Sequence, residues 1–345
     1  MQNFFKYYTG TSVFTLFALA IGYMLNGLPG AITIGILAVL EISLSFDNAV
    51  LNAKVLKDMD AIWKHRFLTW GMIIAVFGMR VIFPVLIVSV VAGIDPLSAT
   101  KMAIFEADKY AMTLKSAHVL VAGFGMAFLM MVFLKFFFSK EKEVHWLGFV
   151  EKHLSHLEST EIVVTLAIAY LISLYLPVHE AHQFLVASIM GLITFILVEW
   201  VGELLNEGDG SSATTAVAKS GLASFIYLEI LDASFSFDGV IGAFALTNNI
   251  FIIALGLGAG AFAVRGMTLM LVDKGTLGEF RYLEHGAFYA IGVLAALMGV
   301  GTFHEVPEIV TGGLGAAFIV AAVFSSIAYN KRIAALPMSQ RGLSK

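Results

Sequence analysis

Two short stretches of this 345-residue chain combine acidic, hydroxyl and amide side chains within apolar surroundings. They are EISLSFDNAV at 41–50 and DASFSFDGVI at 232–241. Placing Asp47 on Asp238 also superposes Glu41 on Asp232, so both stretches follow (E/D)-x-S-φ-S-F-D-(N/G), where φ is apolar. The hydroxyl groups common to the two motifs belong to Ser43, Ser45, Ser234 and Ser236. Oxygen ligands of these types favour hard divalent cations such as Mn²⁺, Mg²⁺ or Ca²⁺.

Five acidic residues fall inside apolar segments, where a carboxylate costs at least about 2.5–3.5 kcal/mol and marks an ion path, a proton relay or a counter-ion. They are Glu41, Asp47, Glu229, Asp232 and Asp238. Arg80 and Arg265, also within apolar segments, can neutralise two of them. Protons or bound cations must balance the rest. The alternative is that the acids only fix helix packing through these arginines and the serines.

The spacing of the motif residues predicts how they are arranged on their helices. At 100° per residue, Glu41, Ser45, Asn48 and Asn52 share one stripe. Asp47 lies about 9 Å along the axis from Glu41 and roughly 120° around it, so a straight helix cannot aim both at one ion. Either the helix is broken there or two helices share the ligands.

Composition places the chain in a bilayer, because 59% of its residues are hydrophobic, 13% are charged and the mean hydropathy is +0.87. The net charge of −4, without a basic face, excludes nucleic acid as a partner. The absence of cysteine excludes disulfides and thiolate metal sites. HEAH at 179–182 lacks zincin spacing, so we predict no enzymatic activity and no bound cofactor.

An all-α polytopic fold of about ten membrane helices is predicted from apolar runs of sufficient length. The runs lie near 11–28, 31–53, 67–92, 113–138, 160–177, 183–205, 221–246, 250–272, 284–303 and 310–329. Residues 1–20 also have features of a short signal peptide, but the topology favours their retention. Since each motif occupies one half of five crossings, the second half enters with opposite orientation, which predicts an inverted repeat.

The halves are 1–178 and 179–330, followed by a cytoplasmic tail at 331–345. Of the 21 Lys and Arg residues, only Lys101, Lys109 and Lys115 fall in outer loops if both termini are cytoplasmic, as the positive-inside rule favours. This orientation predicts a multi-pass protein of the bacterial cytoplasmic membrane. The cytoplasmic segment 139–159, rich in Lys, Glu and His, is predicted to be interfacial or solvated. Inversion further predicts the cross-repeat pairs Glu41/Asp238 and Asp47/Asp232.

The paired motifs and the sequence YLEHGAFYAIGVLAALM at 282–298 resemble the TerC family of integral membrane proteins. That resemblance implies efflux of divalent metal, Mn²⁺ foremost, and an association with tellurite resistance. The ligands it implies are Glu41, Asp47, Asn48, Asp232 and Asp238, with Glu229 compensating for Gly239, which replaces the asparagine in the second motif.

The leading hypothesis is therefore an exporter of Mn²⁺-like cations, with Ca²⁺ and Mg²⁺ as alternatives. Two rivals are an intramembrane enzyme or assembly factor and a non-transporting scaffold of a metal or tellurite stress response that docks through 139–159. The ion, its coupling to protons, the direction of flux and the oligomeric state stay open.

Overall fold

A computed structural model describes residues 2–71, 73–140, 144–154, 159–204, 221–273, 280–304 and 306–335, and every regular element in these ranges is a helix. The α-helices are α1 (Gln2–Leu44), α2 (Phe46–Asp58), α3 (Ala61–Arg66), α4 (Phe83–Ala92), α5 (Pro96–Phe105), α6 (Ala107–Ser116), α7 (His118–Phe138), α8 (Gly148–Leu154), α9 (Glu161–Ser173), α10 (Val178–Leu204), α11 (Gly221–Leu246), α12 (Ile250–Asp273), α13 (Leu283–Gly301) and α14 (Glu308–Ala335). Two π-helical segments, Phe67–Gly71 and Ile74–Ile82, precede α4.

Seven helices in the described ranges are long and apolar enough to cross a membrane, which confirms the all-helical membrane class. They contain the segments Tyr7–Leu44, Ile74–Ala92, His118–Phe138, Val178–Val201, Ile250–Asp273, Leu283–Gly301 and Val310–Ile333. The predicted count of ten is not reached on this criterion. Helix α9 has only 13 residues, and α11 carries three acids within ten residues.

Helix α1 contains two of the predicted spans, because the chain leaves helical geometry at Asn26 and Gly27. Gly27 has a φ of 62°, a left-handed conformation that glycine adopts without steric cost. A Cβ on Gly22 would lie 3.1 Å from the carbonyl oxygen of Gly30. In a straight helix these residues would be about 12 Å apart along the axis, so α1 folds back on itself as a hairpin.

The first motif lies where the helical course changes. Ser45, with φ −106° and ψ 16°, separates α1 from α2, which agrees with the predicted break between Glu41 and Asp47. Beyond α3, the predicted span at 67–92 begins as π-helix rather than regular α-helix. π-Helical turns are rare and occur frequently at functional sites.

Helix α8, in the described part of segment 139–159, is attached to α13 through Glu151. Glu151 is fully buried (0% exposed) and accepts hydrogen bonds from the backbone N–H groups of Trp146 and Leu147. The Tyr289 hydroxyl of α13 donates to the same carboxylate. Leu147 and Phe149 beside Glu151 are exposed, so the interfacial or solvated character of the segment stays a prediction. His156 lies outside the described residues.

Candidate functional site

A cavity of about 40 Å³ lies between the first motif, the π-helical segments, α11 and α12. Its polar lining comes from both motifs and from both buried arginines. The lining residues are Glu41, Ser45, Asn48, Asn52, Phe67, Leu68, Gly71, Ala75, Arg80, Glu229, Asp232, Ala261, Val264, Arg265 and Thr268. The structure therefore joins residues that are far apart in the chain into one polar site among apolar helices.

Glu41 forms the rigid side of the cavity. Arg80 donates from Nη2 to Glu41 Oε1 at 2.5 Å, and the Ser45 hydroxyl donates to the same oxygen at 2.8 Å. Arg80 Nη1 also donates to the carbonyl oxygen of Ala75, five residues earlier in the π-helical segment. The ion pair is buried, so these additional hydrogen bonds offset part of its desolvation cost.

Asn48 links the two motifs directly. Its Nδ2 donates to Asp232 Oδ1 at 2.9 Å, which brings α2 and α11 together. Asn48 is 1% exposed and Asn52, one turn further along α2, is 7% exposed. Both side-chain oxygens face a site that offers them no donor among the described residues.

Five buried oxygens at this cavity have no hydrogen-bond partner in the described part of the chain. They are Asn48 Oδ1, Asn52 Oδ1, Glu229 Oε1, Glu229 Oε2 and Asp232 Oδ2. Buried acceptors without donors are rare in folded proteins and cost about 1–3 kcal/mol each. All five are ligand types that hard cations take, so the donor chemistry of the cavity fits a cation.

The remaining acids of the two motifs lie elsewhere. Asp47 is buried but does not line the cavity, since its Oδ1 accepts from the Asn48 backbone and its Oδ2 lies 3.9 Å from a Cβ built on Gly315 of α14. The residue that contacts Asp232 is therefore Asn48, not the predicted Asp47. The side chain of Asp238 lies outside the described residues, so the predicted pair with Glu41 is not described either.

The motif serines divide between the cavity and helix backbones. Ser45 lines the cavity, whereas the hydroxyl of Ser43 donates to the carbonyl oxygen of Val39 and that of Ser234 to the carbonyl oxygen of Ile230. Ser236 is buried. The common pattern thus serves helix packing as well as the site.

The two arginines have unlike surroundings. Arg265 donates from Nη2 to the backbone carbonyl oxygen of Leu68 at 2.6 Å, and its Nε has no partner in the described residues. No carboxylate of the described residues forms an ion pair with it, although Glu229 and Asp232 line the same cavity. Among the described residues, Arg80 forms an ion pair with an acid and Arg265 does not. The predicted charge neutralisation is therefore seen for Arg80 alone of the two arginines.

Sequence reasoning did not assign a role to Asn52, although the stripe at 41, 45, 48 and 52 contained the signal. It also missed Leu68 and Gly71, because a backbone carbonyl and a glycine have no sequence signature of site contact. In the described part of the chain, no three acidic or histidine side chains are close enough to hold a metal ion. The site there consists of two unneutralised carboxylates and two amides.

This fold and this site define the class of the protein: it is an all-helical membrane protein with a polar, acid-lined cavity between its helices. The chain belongs to the family described as "Protein of unknown function (DUF475)", whose model matches residues 46–333. This family is distinct from TerC, so the TerC resemblance is wrong as an assignment, although both are membrane proteins.

A relative from Bacillus subtilis (strain 168) is described as the uncharacterized membrane protein YceF. It is 31% identical over 116 residues, which are 32% of this chain and 43% of YceF. The chain thus spans less than half the length of this curated relative. No solved structure matches the chain.

Proposed function

We propose that this protein is a membrane transporter that exports a hard divalent cation through the cavity between its two motifs. The observation that carries this proposal is the set of five buried, partnerless oxygens contributed by Asn48, Asn52, Glu229 and Asp232. A packing role alone gives no reason to leave them without donors. A transported cation gives these oxygens a partner while it is bound, and they are without one again after its release.

The charges of the cavity support a cation rather than an anion. Three lining carboxylates and two guanidinium groups leave one negative charge when all are ionised. The Glu41–Arg80 pair is internally neutral. The charges of Glu229 and Asp232 act on one another, and a divalent cation between them neutralises both. The amides of Asn48 and Asn52 complete the set of oxygen ligands.

Pseudo-symmetric contacts support two inverted halves. A Cβ on Gly71 would lie 2.8 Å from Glu229 Oε1 on the second motif helix. A Cβ on Gly256 would lie 2.6 Å from Leu37 Cβ on the first motif helix. The motif alignment places Leu37 on Leu228, one residue before Glu229. Each half therefore packs a glycine against the motif helix of the other half, the arrangement of repeat-built transporters.

Contacts between helix ends agree with ten alternating crossings and cytoplasmic termini. Tyr7 bonds Asp273 at 3.1 Å, and Lys54 pairs with Glu284 at 2.5 Å. All four residues lie at predicted inner ends. At the predicted outer ends, the Tyr175 ring stacks on Phe303. An odd number of crossings between the two residues of any of these contacts would bring opposite membrane faces together.

Ion identity is argued from the ligands alone, because the preference for Mn²⁺ rested on the family resemblance. Carboxylate and amide oxygens suit Mg²⁺, Ca²⁺ and Mn²⁺, and Mg²⁺ in particular keeps several water ligands. Mn²⁺ is a suitable first probe since it accepts the same oxygen set. Protons that occupy the carboxylates after release are a natural coupling ion.

Reconstituted protein tests the proposal by uptake of Mn²⁺, Mg²⁺ and Ca²⁺ into proteoliposomes that contain a divalent-sensitive dye. Asp232→Asn and Glu229→Gln remove charge with little change in shape, and each should reduce transport at least about tenfold. Glu106→Gln, an exposed acid in the 93–117 segment, is the matched control and should transport as wild type does. Wild-type rates in both cavity variants refute the site.

A further inference from the structure

The second arginine of the cavity is held by a weaker partner than the first. Arg80 is fixed by Glu41 and by its own helix. Arg265 is half-buried and, within the described residues, keeps a single hydrogen bond, to the neutral carbonyl oxygen of Leu68. A guanidinium gains more from a carboxylate than from a carbonyl, since charge-assisted bonds are about twice as strong.

Unneutralised carboxylate oxygens lie close to that anchor. Leu68 is three residues before Gly71 in the same π-helical segment, and Gly71 is the residue against which Glu229 packs. Leu68, Gly71, Glu229, Asp232 and Arg265 all line the same cavity. Arginine has a long side chain with several staggered rotamers. A rotamer change moves the Arg265 guanidinium away from Leu68 within the cavity that Glu229 and Asp232 also line.

We propose that Arg265 is a built-in competitor for the transported cation: its guanidinium pairs with the Glu229 and Asp232 carboxylates when no cation is bound, which offsets one of their two negative charges, and withdraws to the Leu68 carbonyl when a divalent cation binds. This inference rests on the proposed function of the cavity. The partnerless Arg265 Nε and the partnerless Glu229 and Asp232 oxygens are the two sides of the exchange. The described conformation has the guanidinium at the Leu68 carbonyl, the position that the proposal assigns to the cation-bound state.

The exchange serves release. A divalent ion held by two bare buried carboxylates leaves slowly, because its departure exposes uncompensated charge. An arginine that moves in as the ion leaves offsets part of this uncompensated carboxylate charge within the same cavity. The competitor thus lowers affinity and raises turnover, in line with the need for a bound ion to leave.

The experiment measures Mn²⁺ affinity by calorimetry on the purified full-length protein. Arg265→Gln should bind Mn²⁺ about tenfold more tightly than wild type because the internal competitor is gone, while its transport at saturating Mn²⁺ falls. Arg265→Lys keeps the positive charge and should stay within about threefold of wild-type affinity. Arg281→Gln, an arginine outside the cavity that stacks on Tyr329, is the control and should bind as wild type does.

The sign of the change separates this proposal from a structural role, since a damaged site binds Mn²⁺ more weakly. Equal or weaker binding by Arg265→Gln, with wild type binding normally, overturns the competitor role and leaves the proposed function standing. Absence of Mn²⁺, Mg²⁺ and Ca²⁺ binding to wild type overturns both. If Arg265→Gln does not fold, Glu229→Gln/Arg265→Gln is compared with Glu229→Gln, where the proposal again requires tighter binding and equal binding refutes it.

Discussion

Glu41 and Asp232 occupy the same position in the two motifs, yet their partners differ. Glu41 is neutralised by Arg80 and receives the Ser45 hydroxyl, whereas Asp232 has one amide partner and one free oxygen. The first acid therefore serves as a structural anchor, and the second is available to a ligand. Gly239, which replaces asparagine in the second motif, lies close to the first acid, since a Cβ there would lie 3.4 Å from Glu41 Oε2.

The Glu41–Arg80 pair gives the first prediction. Arg80→Gln leaves a buried carboxylate without its counter-charge and should destabilise the protein by about 3–5 kcal/mol. Glu41→Gln/Arg80→Gln removes both charges and should recover most of that loss. Thermal melting in detergent measures both variants. A double variant as unstable as Arg80→Gln would contradict a pairwise charge effect.

Close contact between Gly260 of α12 and the first motif gives a second prediction. A Cβ on Gly260 would lie 2.6 Å from Glu41 Cγ and 2.8 Å from the Ala38 carbonyl oxygen. Gly260→Ala should therefore lower stability by about 1–3 kcal/mol through overpacking. Gly35→Ala, where nothing lies within 4 Å, is the matched control and should be neutral or stabilising by up to ~1 kcal/mol. Equal melting temperatures for the two variants would refute the contact.

At the scale of elements, the π-helical segments and α8 each hold a neighbouring part of the structure in place. The π-helical turns provide carbonyl oxygens to both arginines, at Ala75 and Leu68. A change in the helical geometry of these turns would therefore move the hydrogen-bond partners of Arg80 and Arg265 together. Helix α8 instead fastens the loop between α7 and α9 to α13 through Glu151 and Tyr289. The His285 ring lies 3.6 Å from the same carboxylate. The scaffold hypothesis stays untested, but this docking leaves Glu151 unavailable to a partner.

Removal of the Glu151 contact gives the element-scale prediction. Glu151→Ala removes the acceptor of the part-buried N–H groups of Trp146 and Leu147, and each lost hydrogen bond costs about 0.5–1.5 kcal/mol. The segment around α8 should then become sensitive to limited proteolysis, with a melting temperature below wild type. Glu106→Gln, at an exposed i,i+3 ion pair, should change neither result. Unchanged protease resistance in Glu151→Ala would mean that other contacts hold α8.

At the scale of the whole molecule, helices from both halves enclose the cavity, and α12 packs along the hairpin of α1. The close approaches of Gly256 to Leu37 and of Gly260 to Glu41 fix this contact without bulky side chains between the backbones. Rocking of one half against the other therefore changes the cavity walls directly. The proposed transporter would alternate access to the cavity through such a motion, which requires the predicted topology.

Because the chain has no cysteine, single cysteines report the topology without background. Lys101→Cys and Lys109→Cys, at exposed predicted outer positions, should react with a membrane-impermeant maleimide in intact cells. Lys57→Cys and Lys331→Cys, exposed at predicted inner positions, should react only after the cells are opened. Labelling of Lys331→Cys in intact cells would refute cytoplasmic termini and, with them, an even number of crossings.

The amino-acid sequence by itself determined the membrane class, nearly all long helices and the pairing of the motifs, because hydropathy, length and buried charge are local properties. It also indicated the break near Glu41 and Asp47, since a straight helix cannot aim both at one site. Only the tertiary structure decided that Asn48 faces Asp232, that Asp47 faces α14, and that Arg265 is bound by a carbonyl. The reason is that these membrane helices are apolar on nearly every face, so periodicity does not specify which neighbour each polar side chain meets.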